Sequence, residues 1–299
     1  MDFELLLIDR IDAIKKIISK YGEENFVISF SGGKDSTVLS YLIDLAIPGN
    51  KIPRVFINTG IEYELITNFV NKLKEKDDRM VMIRPKYPLG KILKNYGYPF
   101  KSKEHSQLVH MYQQNGHSKS TMRYYDPPEE RKRYGCPKIL KYQFEQNIDL
   151  KISNECCNKL KKEPFNDWQL DNNKPYKITG ERIAEGGLRA SHGGCLVIDK
   201  GQKLKKFKPL NPMKDDWIDW LIRKYNIPLC ELYYEPYNFQ RSECIACPYN
   251  IKIQDTLNTL NELLPNEYRK ATLLWKPVYD EYIRIGYRLK QYPHKILNK

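Results

Sequence analysis

The sequence predicts an α/β fold: a Rossmann-like, mostly parallel sheet with helices on both faces and a helical C-terminal extension. Three observations predict it. Short β-rich apolar runs recur at Phe26–Phe30 (FVISF), Arg54–Gly60 (RVFINTG) and Met80–Pro85 (MVMIRP). Stretches of helical spacing separate them, the alternation that builds βαβ units and a sheet buried on both faces. A glycine pair follows the first run directly, where a strand hands over to a helix and unpaired N–H groups face an anion.

The elements follow in order. LLLIDRIDAIKKIISKYG spaces its apolar residues three and four apart with Lys and Asp between them, an amphipathic helix stopped by Gly22. FVISF is the first strand, and TVLSYLIDLA after the glycine pair is a helix ended by Pro48 and Gly49. From Lys101 to Cys136 polar and aromatic residues break the pattern, and MRYYDPPEERKRYG adds a double proline, so a long loop or insertion is expected. YKITG (Tyr176–Gly180) and KFKPLNPM (Lys206–Met213) read as strands, DDWIDWLIRKYN as a helix capped by Asp215 or Asp216, and the chain beyond Cys247 as helical. The domain reading is 1–250 for an α/β unit carrying a basic insertion at about 101–147, and 251–299 for a helical extension.

Fifty Lys and Arg against 37 Asp and Glu give the 299 residues a formal charge of +13, which points to an anionic partner: a nucleotide, an oxyanion or a nucleic acid. With 41% hydrophobic and 29% charged residues, the composition excludes a disordered or fibrous chain. No stretch approaches the roughly 18 apolar residues of a membrane span, so no membrane partner is expected and the cytoplasm is the expected compartment.

Ser31–Ser36 (SGGKDS) carries the first chemical signal. Gly32 and Gly33 let the backbone turn sharply and approach a phosphate or sulfate oxygen, Lys34 adds a positive charge, and Ser31 and Ser36 add hydroxyl donors. The spacing is neither Walker A nor GxGxxG. Set between a buried strand and a helix, SGGKDS resembles the pyrophosphate loop of the adenine-nucleotide alpha-hydrolase superfamily. That resemblance implies an adenine nucleotide on Ser31, Gly32, Gly33, Lys34, Asp35 and Ser36, with Mg²⁺ as a candidate companion.

Other segments are similar to the phosphoadenosine phosphosulfate reductase family within it. VFINTGIEY carries the Thr59-Gly60 strand exit, with Asn58 where an Asp is common; GERIAEGGLR carries Gly180, Arg182, Glu185 and Arg189 in a G-x-R-x-x-E-x-x-x-R pattern. The resemblance implies nucleotide contacts for Thr59, Gly60, Arg182, Glu185 and Arg189. Read as residues alone, Arg182, Glu185 and Arg189 also have the spacing of helical ion pairs, which Gly186 and Gly187 disfavour.

Seven cysteines invite metal or thiol chemistry. Cys156–Cys157 in NECCNKLKKEPF and Cys244-x-x-Cys247 in SECIACPYN, 87 positions apart, resemble the arrangement that holds a 4Fe-4S cluster in adenylyl-sulfate reductases. Four thiolates suit such a cluster or Zn²⁺, although adjacent cysteines fit the usual zinc knuckle poorly. Lys159, Lys161 and Lys162 would offset the cluster's negative charge. Reductases of this family attack sulfur with a cysteine near the carboxyl terminus, and no cysteine follows Cys247 here. Cys136, among Arg131, Lys132, Arg133 and Lys138, is the candidate for a thiol activated by nearby cations; Cys195, in SHGGCL, is the second candidate, and Cys230 reads as core. His105, His110, His117, His192 and His294 show no metal spacing and read as exposed loop residues.

Three functions follow. The first is a sulfonucleotide reductase-like oxidoreductase with an iron-sulfur cluster, served by a thiol or sulfur donor protein. The second is an ATP-dependent adenylating sulfurtransferase acting on tRNA or DNA, which the basic residues Arg123–Tyr134 favour. The third is a nucleotide-sensing module with a structural metal.

Overall fold

The computed structural model describes residues 2–145, 148–186 and 194–293. They form two compact units. The first contains residues 1–58, 62–84 and 163–242, the second 59–61, 85–162 and 243–299, so the units do not follow chain order.

In the first unit, α1 (Phe3–Tyr21) is capped by the Asp2 carboxylate and ends at Gly22, whose φ of 80° suits a residue without Cβ. β1 (Phe26–Phe30), α2 (Lys34–Ala46), β2 (Arg54–Ile57), α3 (Glu64–Lys74) and β3 (Met80–Ile83) then alternate as the apolar runs predict. β4 (Tyr176–Ile178), β5 (Leu196–Ile198) and β6 (Leu204–Phe207) complete a six-stranded sheet of order β3-β2-β1-β4-β6-β5. Every pairing is parallel except β5 with β6.

Alternate side chains of β1 explain why both faces are covered. Phe26 and Ile28 join Ile178 and Phe207 under α1, α2 and the helix Asp215–Tyr225, while Val27 packs with Val55 and Phe165 on the opposite face. β2 ends at Ile57, short of the predicted Gly60, and the strand expected over Lys206–Met213 is shifted to Leu204–Phe207. Pro209 and Pro212 explain the shift, since proline donates nothing to a ladder. The helix expected to be capped by Asp215 or Asp216 is preceded by Lys214, with both acids in its first turn, where they favour the dipole.

The second unit corrects the expected loop at 101–136. Helices Lys103–Asn115 and Lys119–Tyr125 occupy it, capped by the Ser102 and Ser118 side chains. His105, which read as an exposed loop residue, is fully buried. One ring nitrogen lies 2.7 Å from Gln143 Oε1, the other 3.0 Å from Tyr124 Oη, and Tyr124 accepts from Lys101 Nζ at 3.1 Å. Satisfied this way, an imidazole sits in a core at little cost. Helices Ile253–Leu263, Pro265–Leu274 and Lys276–Arg284 form the C-terminal extension. Within the unit, Trp275 and Tyr279 of this extension donate to the carbonyls of Ile245 and Ala246.

Candidate nucleotide site

In open α/β sheets ligands bind at the carboxyl ends of the strands, where strand order reverses. Here that point lies between β1 and β4, which are neighbours in the sheet although two strands separate them along the chain. Ser31–Gly33 leaves β1 there, and Thr179–Arg182 leaves β4.

The loop is held by its own hydroxyls. Ser36 Oγ donates to Gly33 O at 2.9 Å and accepts from Ser31 N at 3.2 Å; Thr37 Oγ1 donates to Gly33 O at 3.0 Å. Gly33 N donates to Ser31 Oγ at 3.3 Å. Gly32 has φ 70°, and a Cβ there would stand 2.8 Å from Ile66 Cγ2, so only glycine makes this turn. Gly33 precedes the first turn of α2, whose N–H groups lack intrahelical acceptors and carry the positive end of the dipole. Lys34 Nζ lies 3.2 Å from Asp219 Oδ1, and its backbone N donates to Tyr233 Oη at 3.1 Å.

Gly180 lets the chain leaving β4 press against the loop. A Cβ at 180 would meet the Asp35 carbonyl oxygen at 2.9 Å and carbon at 3.0 Å, both backbone atoms. Gly180→Ala is therefore expected to displace the first turn of α2 and to weaken adenine-nucleotide binding at least about tenfold, about 1.4 kcal/mol by the standard conversion. Calorimetric titration with a non-hydrolysable ATP analogue reads this, and unchanged affinity would show that the contact is unimportant.

Arg182 is 4% exposed and braces the site from below. Its Nε is 3.2 Å from Asp35 Oδ1, its Nη2 2.7 Å from Asp215 Oδ1, and its Nη1 donates to Met213 O at 3.3 Å. Burial pushes the Asp35 carboxyl up despite the guanidinium beside it, while the bond from Arg182 holds Asp215 down. Glu185 accepts from Arg182 N at 3.0 Å, closing a turn at Ile183–Glu185. Arg189 and His192 lie outside the described residues, as does His294. Thr59 and Gly60 fall in the second unit.

Sequence reasoning missed Tyr233, Ser242 and Asp219. Tyr233 and Ser242 crowd Gly33, where a Cβ would lie 3.2 Å and 2.3 Å from their hydroxyls, and Asp219 pairs with Lys34. No spacing links them to the loop, since Tyr233 is 199 positions from Lys34; the Asp216-Trp217 segment beside Asp219 was the only signal.

The expected 4Fe-4S cluster, and with it a metal role for Cys156, Cys157, Cys244 and Cys247, is overturned. Among the described residues no group of three or more His, Cys, Asp or Glu side chains is arranged to hold a metal ion. The fold does bring the two cysteine pairs into one neighbourhood of the second unit, where their charges act on one another. Cys156 hydrogen-bonds Cys157 and is pushed well up, Cys157 is held down to about 6 by that bond, and burial pushes Cys247 well up. The lysines 159, 161 and 162 therefore have no cluster to neutralise.

Cys136 does not have the low pKa its cationic neighbours suggest: it is buried, and burial pushes its thiol up to about 12. Cys195 is half-buried with Arg10 Nη1 at 3.3 Å. Cys230 is buried, as expected of a core thiol.

A doubly wound sheet with a glycine-serine anion loop at its switch point defines a nucleotide-binding α/β protein of the pyrophosphate-loop class. The chain belongs to the phosphoadenosine phosphosulfate reductase domain family, whose model matches residues 25–119 and 101–286. Over 103 residues it is 35% identical to an uncharacterized protein of Methanocaldococcus jannaschii; the match covers 31% of this chain and only about a quarter (25%) of that relative's length. Similar solved structures include phosphoadenylyl-sulfate reductase of Candida auris in a phosphate complex, at 13% identity and TM-score 0.39, covering 74% of this chain and 88% of that one. Others are the NH3-dependent NAD synthetase of Campylobacter jejuni (12%, TM-score 0.41, 98% and 99%) and FMN adenylyltransferase of Candida glabrata with FMN and an ATP analogue (16%, TM-score 0.43, 78% and 62%). No helix among the described residues is long and apolar enough to cross a membrane.

Proposed function

We propose that this chain is an adenylating enzyme: it binds ATP with the phosphates in the Ser31–Thr37 cradle, and an acceptor oxygen attacks the α-phosphorus. The new P–O bond forms as the bond to the β-phosphate breaks, and pyrophosphate leaves with the electron pair. The observation that carries this reading is the cradle at the β1–β4 switch point, built from the Asp35 and Ser36 N–H groups in the first turn of α2 and the Ser31 hydroxyl, with the Ser36 hydroxyl donating to Gly33 O to hold the loop. Such preorganised donors stabilise the charge that develops on a leaving pyrophosphate.

The pairing of Arg182 supports this reading over sulfonate reduction. A sulfonate clamp draws on arginine, and the Arg182 guanidinium gives Nη2 to Asp215 and Nη1 to the Met213 carbonyl, while Nε lies 3.2 Å from Asp35 Oδ1 outside hydrogen-bonding geometry. Lys34 differs, because its partner Asp219 is 45% exposed and a surface pair contributes only about 0–1 kcal/mol. The ammonium can therefore turn from Asp219 to a phosphate oxygen at small cost. Glu185 and Arg189 are assigned to the nucleotide on the family pattern, and Cys195 is the remaining candidate for sulfur transfer. For the acceptor, the exposed cations of residues 119–141 favour a nucleic acid, tRNA or DNA.

The test is pyrophosphate release from ATP, measured with and without added nucleic acid, beside calorimetric titration with a non-hydrolysable ATP analogue and with adenylyl sulfate. Lys34→Ala is expected to weaken ATP-analogue binding about tenfold and to slow pyrophosphate release by about 10²-fold or more, as loss of a charge-stabilising donor does. Sulfite release from adenylyl sulfate with a dithiol, and no pyrophosphate from ATP, would replace this reading by a reductase.

A further inference from the structure

We infer that the exposed basic face of residues 119–141 binds single-stranded nucleic acid, with phosphates on Arg123, Arg131, Arg133 and Lys138 and a base stacked on Tyr134. The inference rests on the adenylation reading only for what such a strand would be used for; binding itself is independent of ATP.

Seven cations and three acids fall within these 23 residues, a net charge of +4 out of the chain's +13. Arg123, Arg131, Arg133 and Lys138 are all exposed, and among the described residues none of the four has a carboxylate within ion-pair distance; Lys132 alone of this group is paired, with Glu129. The backbone beneath them is pinned. Tyr124, Cys136 and Leu140 are buried, Cys136 N donates to Tyr124 O at 2.7 Å, and a Cβ on Gly135 would stand 2.5 Å from Pro127 Cγ. Cations on an ordered scaffold lose less entropy on binding than cations on a loose tail.

Tyr134 is 65% exposed, with the Arg133 guanidinium 5.9 Å from its ring centre. An exposed aromatic ring beside cations without carboxylate partners matches a strand that offers both phosphates and unstacked bases. A duplex offers no such bases, and reading its major groove takes a helix or a β-ribbon. The elements here are the seven-residue helix Lys119–Tyr125 and the 3-10 turns Glu129–Tyr134 and Lys138–Phe144, which suit a single strand better.

The experiment is fluorescence anisotropy of a labelled 20-nucleotide oligothymidine with the whole chain, in the absence of nucleotide, from 50 to 300 mM salt. Four phosphate contacts predict that log K falls against log salt with a slope of about −3. Arg131→Glu with Arg133→Glu is expected to weaken binding at least about tenfold, and Tyr134→Ala about fivefold or more with the salt slope retained. The three side chains are exposed, so circular dichroism should show the variants folded, and Glu129→Gln with Glu130→Gln should tighten binding. Absence of binding at 50 mM salt, equal binding by the Arg131/Arg133 variant, or equally effective competition by polyglutamate would overturn the proposal. Pyrophosphate release is read separately, so loss of the adenylation reading leaves this result standing.

Discussion

Replacing Arg182 by alanine is expected to destabilise the first unit by about 3–5 kcal/mol, the usual cost of removing one partner from a buried ion pair. The guanidinium is 4% exposed and touches Asp35, Asp215 and the Met213 carbonyl, so its loss strands the largely buried Asp35 carboxylate beneath the phosphate loop. The deficit should depend on pH. Burial already raises the Asp35 carboxyl, and removing the cation raises it further. A raised folded value means that this group's contribution is fully present below its unfolded value near 4 and is lost as pH rises through the folded value. The Arg182→Ala deficit is therefore largest at neutral pH and shrinks toward pH 4. Denaturant melts at pH 7 and pH 4.5 measure it, and Asp35→Asn in the Arg182→Ala background should recover part of the loss at pH 7. A variant as stable as the parent at pH 7 would mean that Arg182 is not a brace.

The second large effect is acid lability of the second unit. His105 is fully buried, and its pKa is pushed down to about 3, first by burial and then by the charges of Lys101 and Arg288, against the bond to Gln143. Because Tyr124 accepts from Lys101, its hydroxyl hydrogen is free to donate to His105 Nδ1, and His105 Nε2–H then donates to Gln143. That assignment uses the neutral ring; an imidazolium would set a second N–H against Tyr124. A depressed folded value means that stability is fully present above the unfolded value near 6.5 and is lost as pH falls toward 3. The loss reaches about 5 kcal/mol on an order-of-magnitude conversion. Unfolding free energy measured from pH 7 to pH 4 should fall with a slope of about one proton, and His105→Asn, less stable at pH 7, should flatten that slope. A His105 resonance titrating above pH 6 in the folded protein would refute this account.

How well the sequence announced these features depended on how local each one was. The strands Phe26–Phe30, Arg54–Ile57 and Met80–Ile83 and the loop at Ser31–Ser36 are contiguous, and apolar runs with a glycine pair mark them plainly. The helices Lys103–Asn115 and Lys119–Tyr125 were hidden because their buried faces include polar side chains, His105, Ser106, Thr121 and Tyr124, which a hydrophobic pattern does not register. Their cap residues Ser102 and Ser118, with Gly116 between, were the available signal. Arg182 stood out in its motif, yet its role depends on Asp215 and Met213, more than thirty positions away. Cysteine spacing brought two pairs to attention, but spacing carries no information about where thiols point or which keep their protons. Tyr233 and Ser242 reach the loop only through tertiary packing.

The pairing of Lys34 with Asp219 bears on selectivity. A glycine loop with a bare lysine would be a trap for any small oxyanion in its surroundings. Here the resting lysine is paired with Asp219 and the N–H beside it with the Tyr233 hydroxyl; the lysine leaves its surface pair at small cost, but the N–H is already satisfied, so a lone phosphate or sulfate gains one ionic contact and little more. A ligand must bring further contacts through its sugar and base, and the loop thereby discriminates by molecular size before any residue reads the base itself.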